Sequence, residues 1–303
     1  MIDLVIRIVL ETLRLFLKVS HWIVLGFLVA GLIREFVPRK WFLKMFGGSG
    51  IRDVLIASIM GTLAQFLPHS GLPLAISLFH LGASRGAVVT FMVSTPWLCV
   101  IESLILISFV GTNMFLFIVV MTMVVGIIGG LLIGYLEKRG VIESGHPSSP
   151  KPAVEVERNY GPETIKDRMF SALHYSYDFF KLASIWIAIG FLGAGITKAL
   201  IPAEIIENLL GYSLHSVLLA LAVGTVMEVA VEASVPIICS LYSLGASPGV
   251  IFTLLMCGVV TDMTEMGTIW TALGKKTAVA SVLIFSFLTL IFGYLINLLP
   301  IFA

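Results

Sequence analysis

The chain has 303 residues, of which 58% are hydrophobic and only 12% charged, and its mean hydropathy is +1.04. A soluble domain of this length cannot bury so much apolar surface, so the composition defines an integral membrane protein. A net charge of +1 excludes the basic footprint of a nucleic-acid binder, and Cys99, Cys239 and Cys257 form neither a disulfide framework nor a CxxC zinc cage.

The first eighteen residues carry Arg7, Glu11, Arg14 and Lys18 in an otherwise apolar pattern. They read as a retained amphipathic segment at the membrane interface, not as a cleavable signal. Residues 19–37 follow as the first span, and residues 114–136, 182–201 and 277–299 also approach or exceed the ~20 residues a helix needs to cross the hydrocarbon. Alternating ten-residue strand patterns are absent, which disfavours a barrel. Residues 162–180 repeat the amphipathic theme, with Ile165, Met169, Leu173 and Tyr177 at helical spacing.

The chain reads as two homologous halves. Residues 16–38 match 180–202 at an offset of 164, with ten identities in 23 positions, and residues 61–104 match 224–267 at an offset of 163, with twelve in 44. The partition is therefore an N-terminal transmembrane repeat over 1–136, a hydrophilic linker over 137–161 and a C-terminal transmembrane repeat over 162–303. The linker is rich in Pro, Ser and Glu and cannot build a core. Arg34, Arg39, Lys40, Lys44 and Arg52 follow the first span, whereas its counterpart is followed by Lys198, Glu204 and Glu207. That asymmetry places the two connections on opposite sides, giving inverted repeats with a cytoplasmic linker and both termini outside.

Each half also holds a pair of short apolar segments: 53–67 and 72–81 around a break at 68–71, and 215–231 and 235–244 around a break at 232–234. Short interrupted segments at matching places in two halves point to a transporter's binding site, because broken helices expose backbone groups where they line a cavity. Pro73, Gly82, Ser84 and Gly86 recur as Pro236, Gly245, Ser247 and Gly249 and read as structural turns. Both copies fit GxSxG, yet each serine sits where an N-cap belongs, and Pro248 follows the second as expected of a first helical residue. Gly47 to Gly50 superficially resembles the GxSG of rhomboid proteases, but no histidine in a later span is placed to activate Ser49. An intramembrane hydrolase is the remote alternative, and the chain is read as no enzyme.

Polar residues in the duplicated stretch carry the functional reading. At the offset of 163, Gln65 corresponds to Glu228, His69 to Glu232, Cys99 to Asp262 and Glu102 to Glu265. An ionisable group at membrane depth costs roughly 2.5–3.5 kcal/mol, so four acids in one stretch point to a function. Glu228 with Glu232, and Asp262 with Glu265, share a helix face wherever the helix is unbroken. With Thr261 and Thr264 they predict a mid-membrane ion site, with the four acids as candidate metal ligands; oxygen donors suit hard or borderline cations, and His69 is a nitrogen donor. The competing role for Glu102 is a protonated carboxyl bonded to a neighbouring helix. No cofactor motif accompanies these residues. The partners they imply are the lipid bilayer and a small cation or metalloid.

The segment GVVTDMTE at 258–265, preceded by MEVAVEASVP at 227–236 and by the repeated P-x7-LGAS-x-G blocks, resembles the predicted permease family that includes the ArsP-type arsenical efflux permeases. The resemblance spans nearly the whole chain. It implies an all-α polytopic protein of the cytoplasmic (inner) membrane with roughly eight to ten membrane segments, short broken helices included. It also implies movement of metals or metalloids, with efflux favoured over uptake. In ArsP-like members the break before the short helix carries cysteines suited to trivalent arsenic. This chain has His69-Ser70-Gly71 and Glu232-Ala233-Ser234 there. The expectation is therefore a permease for a metal or other small cation, with proton coupling as an option and ArsP-like organoarsenical efflux as the alternative.

Overall fold

A computed structural model of the protein describes residues 2–36, 50–64, 71–94, 100–145, 164–226, 231–260 and 263–299. These hold helices α1 (Ile2–Phe36), α2 (Ile51–Ala64), α3 (Gly71–His80), α4 (Arg85–Ser94), α5 (Val100–Val110), α6 (Thr112–Lys138) and α7 (Ile165–Leu200). They continue with α8 (Ala203–Leu210), α9 (Leu214–Val226), α10 (Val231–Ser243), α11 (Pro248–Val260), α12 (Met263–Ala272) and α13 (Lys275–Leu298). The all-helical, polytopic class read from the sequence is the class observed. Among the described residues α1, α6, α7 and α13 are long and apolar enough to cross a membrane. The pair α8–α9, bent by 98°, adds a fifth span if it is counted as one.

Contacts at the helix ends set the direction of each segment. Arg85, at the start of α4, bonds Glu137 near the end of α6, while α5 stops one residue before α6 begins. The broken pair α4–α5 therefore runs the length of α6 in the opposite direction. In the second half, the Gly249 N–H at the start of α11 donates to Asn297 Oδ1 near the end of α13 at 2.8 Å, and α12 stops just before α13 begins. The pair α11–α12 thus runs antiparallel to α13. We call the end of the bundle where α6 finishes and α7 begins the linker face, and the other end the distal face.

The remaining short helices form two hairpins. Gly61 of α2 packs on Phe91 and Ser94 toward the inner end of α4, and α3 returns to the turn that starts α4. Gly224 of α9 packs on Cys257 toward the inner end of α11, and α10 returns to the turn that starts α11. The first hairpin opens at the linker face and the second at the distal face.

The long helices α1 and α7 pack antiparallel along their lengths. Phe16 meets Phe191 edge-on at 5.5 Å, and Phe27 meets Phe180 at 5.4 Å. A Cβ on Gly31 would strike Ala172 and Ser176, and one on Gly195 would strike Thr12, so both glycines are there for close approach. Similarly, α4 crosses α6 where Gly86 meets Gly130, and α11 crosses α13 where Gly249 meets Gly293. Small residues let helices approach in lipid, where the solvent supplies no hydrophobic drive to associate.

Three expectations need correction. The amphipathic starts are not separate interfacial helices: α1 and α7 are continuous over 35 and 36 residues. At about 1.5 Å per residue each exceeds the ~30 Å hydrocarbon thickness and carries its charged turns past the apolar zone. The stripe Ile165, Met169, Leu173 and Tyr177 stays exposed on α7, as a lipid-facing edge would. The break expected at 232–234 is not found there: Glu232, Ala233 and Ser234 belong to α10. Pro236 inside that helix supplies no N–H to the Glu232 carbonyl four residues earlier. Finally, α6 runs into the predicted linker as far as Lys138.

Candidate functional site

Three carboxylates of the predicted set lie within the described residues, each in the first described turn of its helix: Glu102 on α5, Glu232 on α10 and Glu265 on α12. Glu102 and Glu265 are 3% and 8% exposed. The second acid of each predicted pair, Glu228 and Asp262, lies outside the described residues, and with it the expectation that Glu228 with Glu232, and Asp262 with Glu265, share a helix face. Gln65, His69, Cys99, Glu228, Thr261 and Asp262 lie outside the described residues, as do the side chains of Pro73 and Thr264.

Packing brings some of these elements together. Helix α5, with Glu102, packs on α10, with Glu232. Ile101 lies against Gly26 in the middle part of α1, and Ala233 against Gly190 in the middle part of α7. Helix α12, with Glu265, packs on α13 and touches α3, the helix that follows His69. Among the described residues no three of His, Cys, Asp and Glu group as a metal-binding set.

The first-turn placement has an energetic meaning. The positive end of a helix stabilises a carboxylate by about 0.3–1 kcal/mol, and by up to ~2 when partly buried. Against the roughly 2.5–3.5 kcal/mol cost of an ionisable group at membrane depth, the dipole offsets part and leaves the rest to a proton, a cation or a hydrogen-bond donor.

An apolar cavity of about 260 Å³ adjoins this region in the distal half of the bundle. It lies between α8, α9, α10 and α11, and its inner lining includes Gly224, Ser234 and Gly258. Those residues lie on α9, α10 and α11, respectively.

Of the predicted structural turns, Gly82, Ser84, Gly245 and Ser247 lie at the turns before α4 and α11, whereas Gly86, Pro236 and Gly249 lie inside helices. Gly82 and Gly245 have φ of 99° and 98°, a conformation that favours glycine. Ser84 Oγ accepts from the Ala87 N–H at 3.3 Å, and Ser247 Oγ from the Val250 N–H at 3.4 Å, so both cap the helices that follow. Ser49 lies outside the described residues. Sequence reasoning missed a charged cluster at the linker face. Arg85, 5% exposed, holds Glu137 through Nη1 at 2.7 Å and the Leu273 carbonyl through Nε at 2.9 Å. Glu143 accepts from the N–H groups of Lys276 and Thr277 at 2.8 and 2.9 Å. The clue was an arginine in an apolar run where the second half has Pro248.

Antiparallel long helices, the sharply bent pair α8–α9 and carboxylates buried in an apolar bundle define a polytopic membrane protein of the permease class. The chain belongs to the ArsP_1 family of predicted permeases, whose pattern matches residues 14–298. It is also similar to the UPF0718 protein MJ0584 of Methanocaldococcus jannaschii, at 24% identity over 97% of this chain and 96% of the relative. No solved structure matches it.

Proposed function

We propose that this permease is a secondary transporter that moves a metal or other small cation across the cytoplasmic membrane, outward, through a carboxylate site between two inverted repeats. The observation that carries the reading is that Glu102 and Glu265, related by the offset of 163, are both buried in the apolar bundle, on α5 and α12. Carboxylate oxygens of this kind suit a hard or borderline cation. Protonation of the same carboxylates is the coupling step. The inverted repeat is supported by contacts that recur with the halves exchanged: Phe16 to Phe191 and Phe180 to Phe27, Gly31 to Ser176 and Gly195 to Thr12.

The test replaces Asp262 by Asn and Glu265 by Gln in reconstituted protein. Each change should abolish cation flux while the protein stays folded, and normal flux in both variants overturns the reading. One observation favours a second reading, ArsP-like organoarsenical efflux. Buried Cys257 lies against Gly224, which lines the apolar cavity. That mechanism needs a thiol, so an active cysteine-free protein excludes it.

A further inference from the structure

We propose that the charged cluster at the linker face is a gate between the two halves of the chain, and that the structure is the state closed at that face. The inference rests on the transporter reading above, because a permease must open one face at a time.

The cluster ties first-half elements to second-half elements at two points. Arg85, on α4, is paired with Glu137 at 2.7 Å and donates to the carbonyl of Leu273, the residue just after α12, at 2.9 Å. The Arg85 guanidinium also stacks over Phe79 at 4.9 Å, which fixes its plane. The second tie is Glu143, just beyond α6. Its carboxylate accepts the Lys276 and Thr277 N–H groups and the Thr277 hydroxyl, satisfying donors at the start of α13. Gly274, with φ of 115°, lets the chain turn there, and a Cβ at that position would collide with the Glu143 side chain. At the same face, Arg168 at the start of α7 bonds the Glu35 carbonyl at 2.7 Å, and its guanidinium lies over Phe36.

The distal face is built differently. At the offsets relating the halves, Arg85 corresponds to Pro248, Glu137 to Pro300, Arg168 to Leu4 and Glu35 to Ala199. The ion pairs thus have uncharged counterparts, and the apolar cavity lies in the distal half. One end is locked by charge and the other holds an open volume, as in a carrier caught in one state.

Ion pairs suit a gate for a physical reason. Opening the linker face hydrates both partners, and the water regained offsets most of the attraction lost, so the closed and open forms can lie close in free energy. An apolar seal of the same area would be lost to water with no such return. The directional bonds to Glu137 and Leu273 also define one closed register rather than a sliding contact.

The experiment is cysteine labelling from the linker side in proteoliposomes, which requires no transported substrate. In a background with Cys99→Ala, Cys239→Ala and Cys257→Ala, Leu273→Cys places a reporter at a position that is 1% exposed. A membrane-impermeant maleimide should label it slowly in the parent and about tenfold faster or more when Glu137→Gln or Arg85→Gln weakens the closed state, with Arg85→Lys intermediate. Ile118→Cys, deep on α6, should stay unreactive throughout and serves as the control for folding. Equal labelling of Leu273→Cys in parent and variants, whether slow or fast, overturns the gate. If an Arg85 variant also labels Ile118→Cys, it has lost its fold and Glu143→Gln decides, since it loosens only the second tie; unchanged labelling there overturns the proposal. Loss of flux in the Asp262→Asn and Glu265→Gln variants is a separate result, so either idea can fail alone.

Discussion

Phe16 meets Phe191 edge-on at 5.5 Å, and Phe27 meets Phe180 in nearly the same geometry at 5.4 Å. Phe16 and Phe180 correspond at the offset of 164, as do Phe27 and Phe191, so one contact occurs twice with the helices exchanged. An antiparallel pair of this kind has two equivalent ends, and a defect at either should have similar consequences.

That equivalence is testable at the two glycines outside the aromatic contacts. A Cβ on Gly31 meets α7, and one on Gly195 meets α1. Gly31→Val and Gly195→Val should each destabilise by about 1–3 kcal/mol through overpacking. Thermal unfolding in detergent should show comparable losses for the two, and a loss at only one would deny the exchanged geometry.

The crossing of α4 on α6 uses a hydroxyl as well as glycines. Thr90 Oγ1 donates to the Gly86 carbonyl at 2.8 Å and lies 3.0 Å from the Gly126 carbonyl of α6, whereas Thr253 donates within its own helix to Gly249. Interhelical bonds in membrane proteins average about 0.6 kcal/mol and reach ~1.7. Thr90→Val should therefore lower stability by an amount in that range, and Thr253→Val by less. Equal shifts in a denaturant titration would assign Thr90 a purely local role.

The two cap serines differ in a way that stability measurements can read. Ser84 caps α4, while Ser247 caps α11 and also donates to the Gly211 carbonyl at 2.8 Å. Ser84→Ala should cost about 0.5–1 kcal/mol and Ser247→Ala about 1–2. Neither change should abolish transport, and a selective loss of activity at unchanged stability would reopen the hydrolase alternative.

Glu143 gives the linker face a defined pH response. Burial raises its pKa, but hydrogen bonds from the Lys276 N–H, its own N–H and the Thr277 hydroxyl and N–H outweigh burial and bring it down to about 2. A carboxylate lowered by folding contributes stability above its unfolded value, near 4.5, and loses it as pH falls through the folded one. Amide exchange of Lys276 and Thr277, corrected for its intrinsic pH dependence, should then show constant protection from pH 8 down to roughly pH 5, with loss confined to lower pH. Glu143→Gln should reduce protection across the whole range; loss of protection in wild type near pH 6 would assign that response to another group.

Much of the fold was legible because the determinants are local. Apolar runs long enough to span fall inside α1, α6, α7 and α13, and the GxSxG blocks became caps because Ser and Gly act on their own turns. The break expected at 232–234 was misplaced, because the run around Glu232 mixes polar and apolar residues and periodicity alone does not separate a short interruption from the first turns of a helix.

By itself the sequence determined an all-helical polytopic membrane protein and its likeness to a family of permeases. Each follows from composition, spacing or self-similarity, which survive without coordinates. Only the tertiary structure decided that α1 and α7 run antiparallel with Gly31 and Gly195 at their close approaches, that Glu102 and Glu265 are buried, and that Arg85 reaches both Glu137 and Leu273. Arg85 and Leu273 are 188 residues apart, and no local pattern encodes a partner at that distance, because the partner is chosen by how the helices pack.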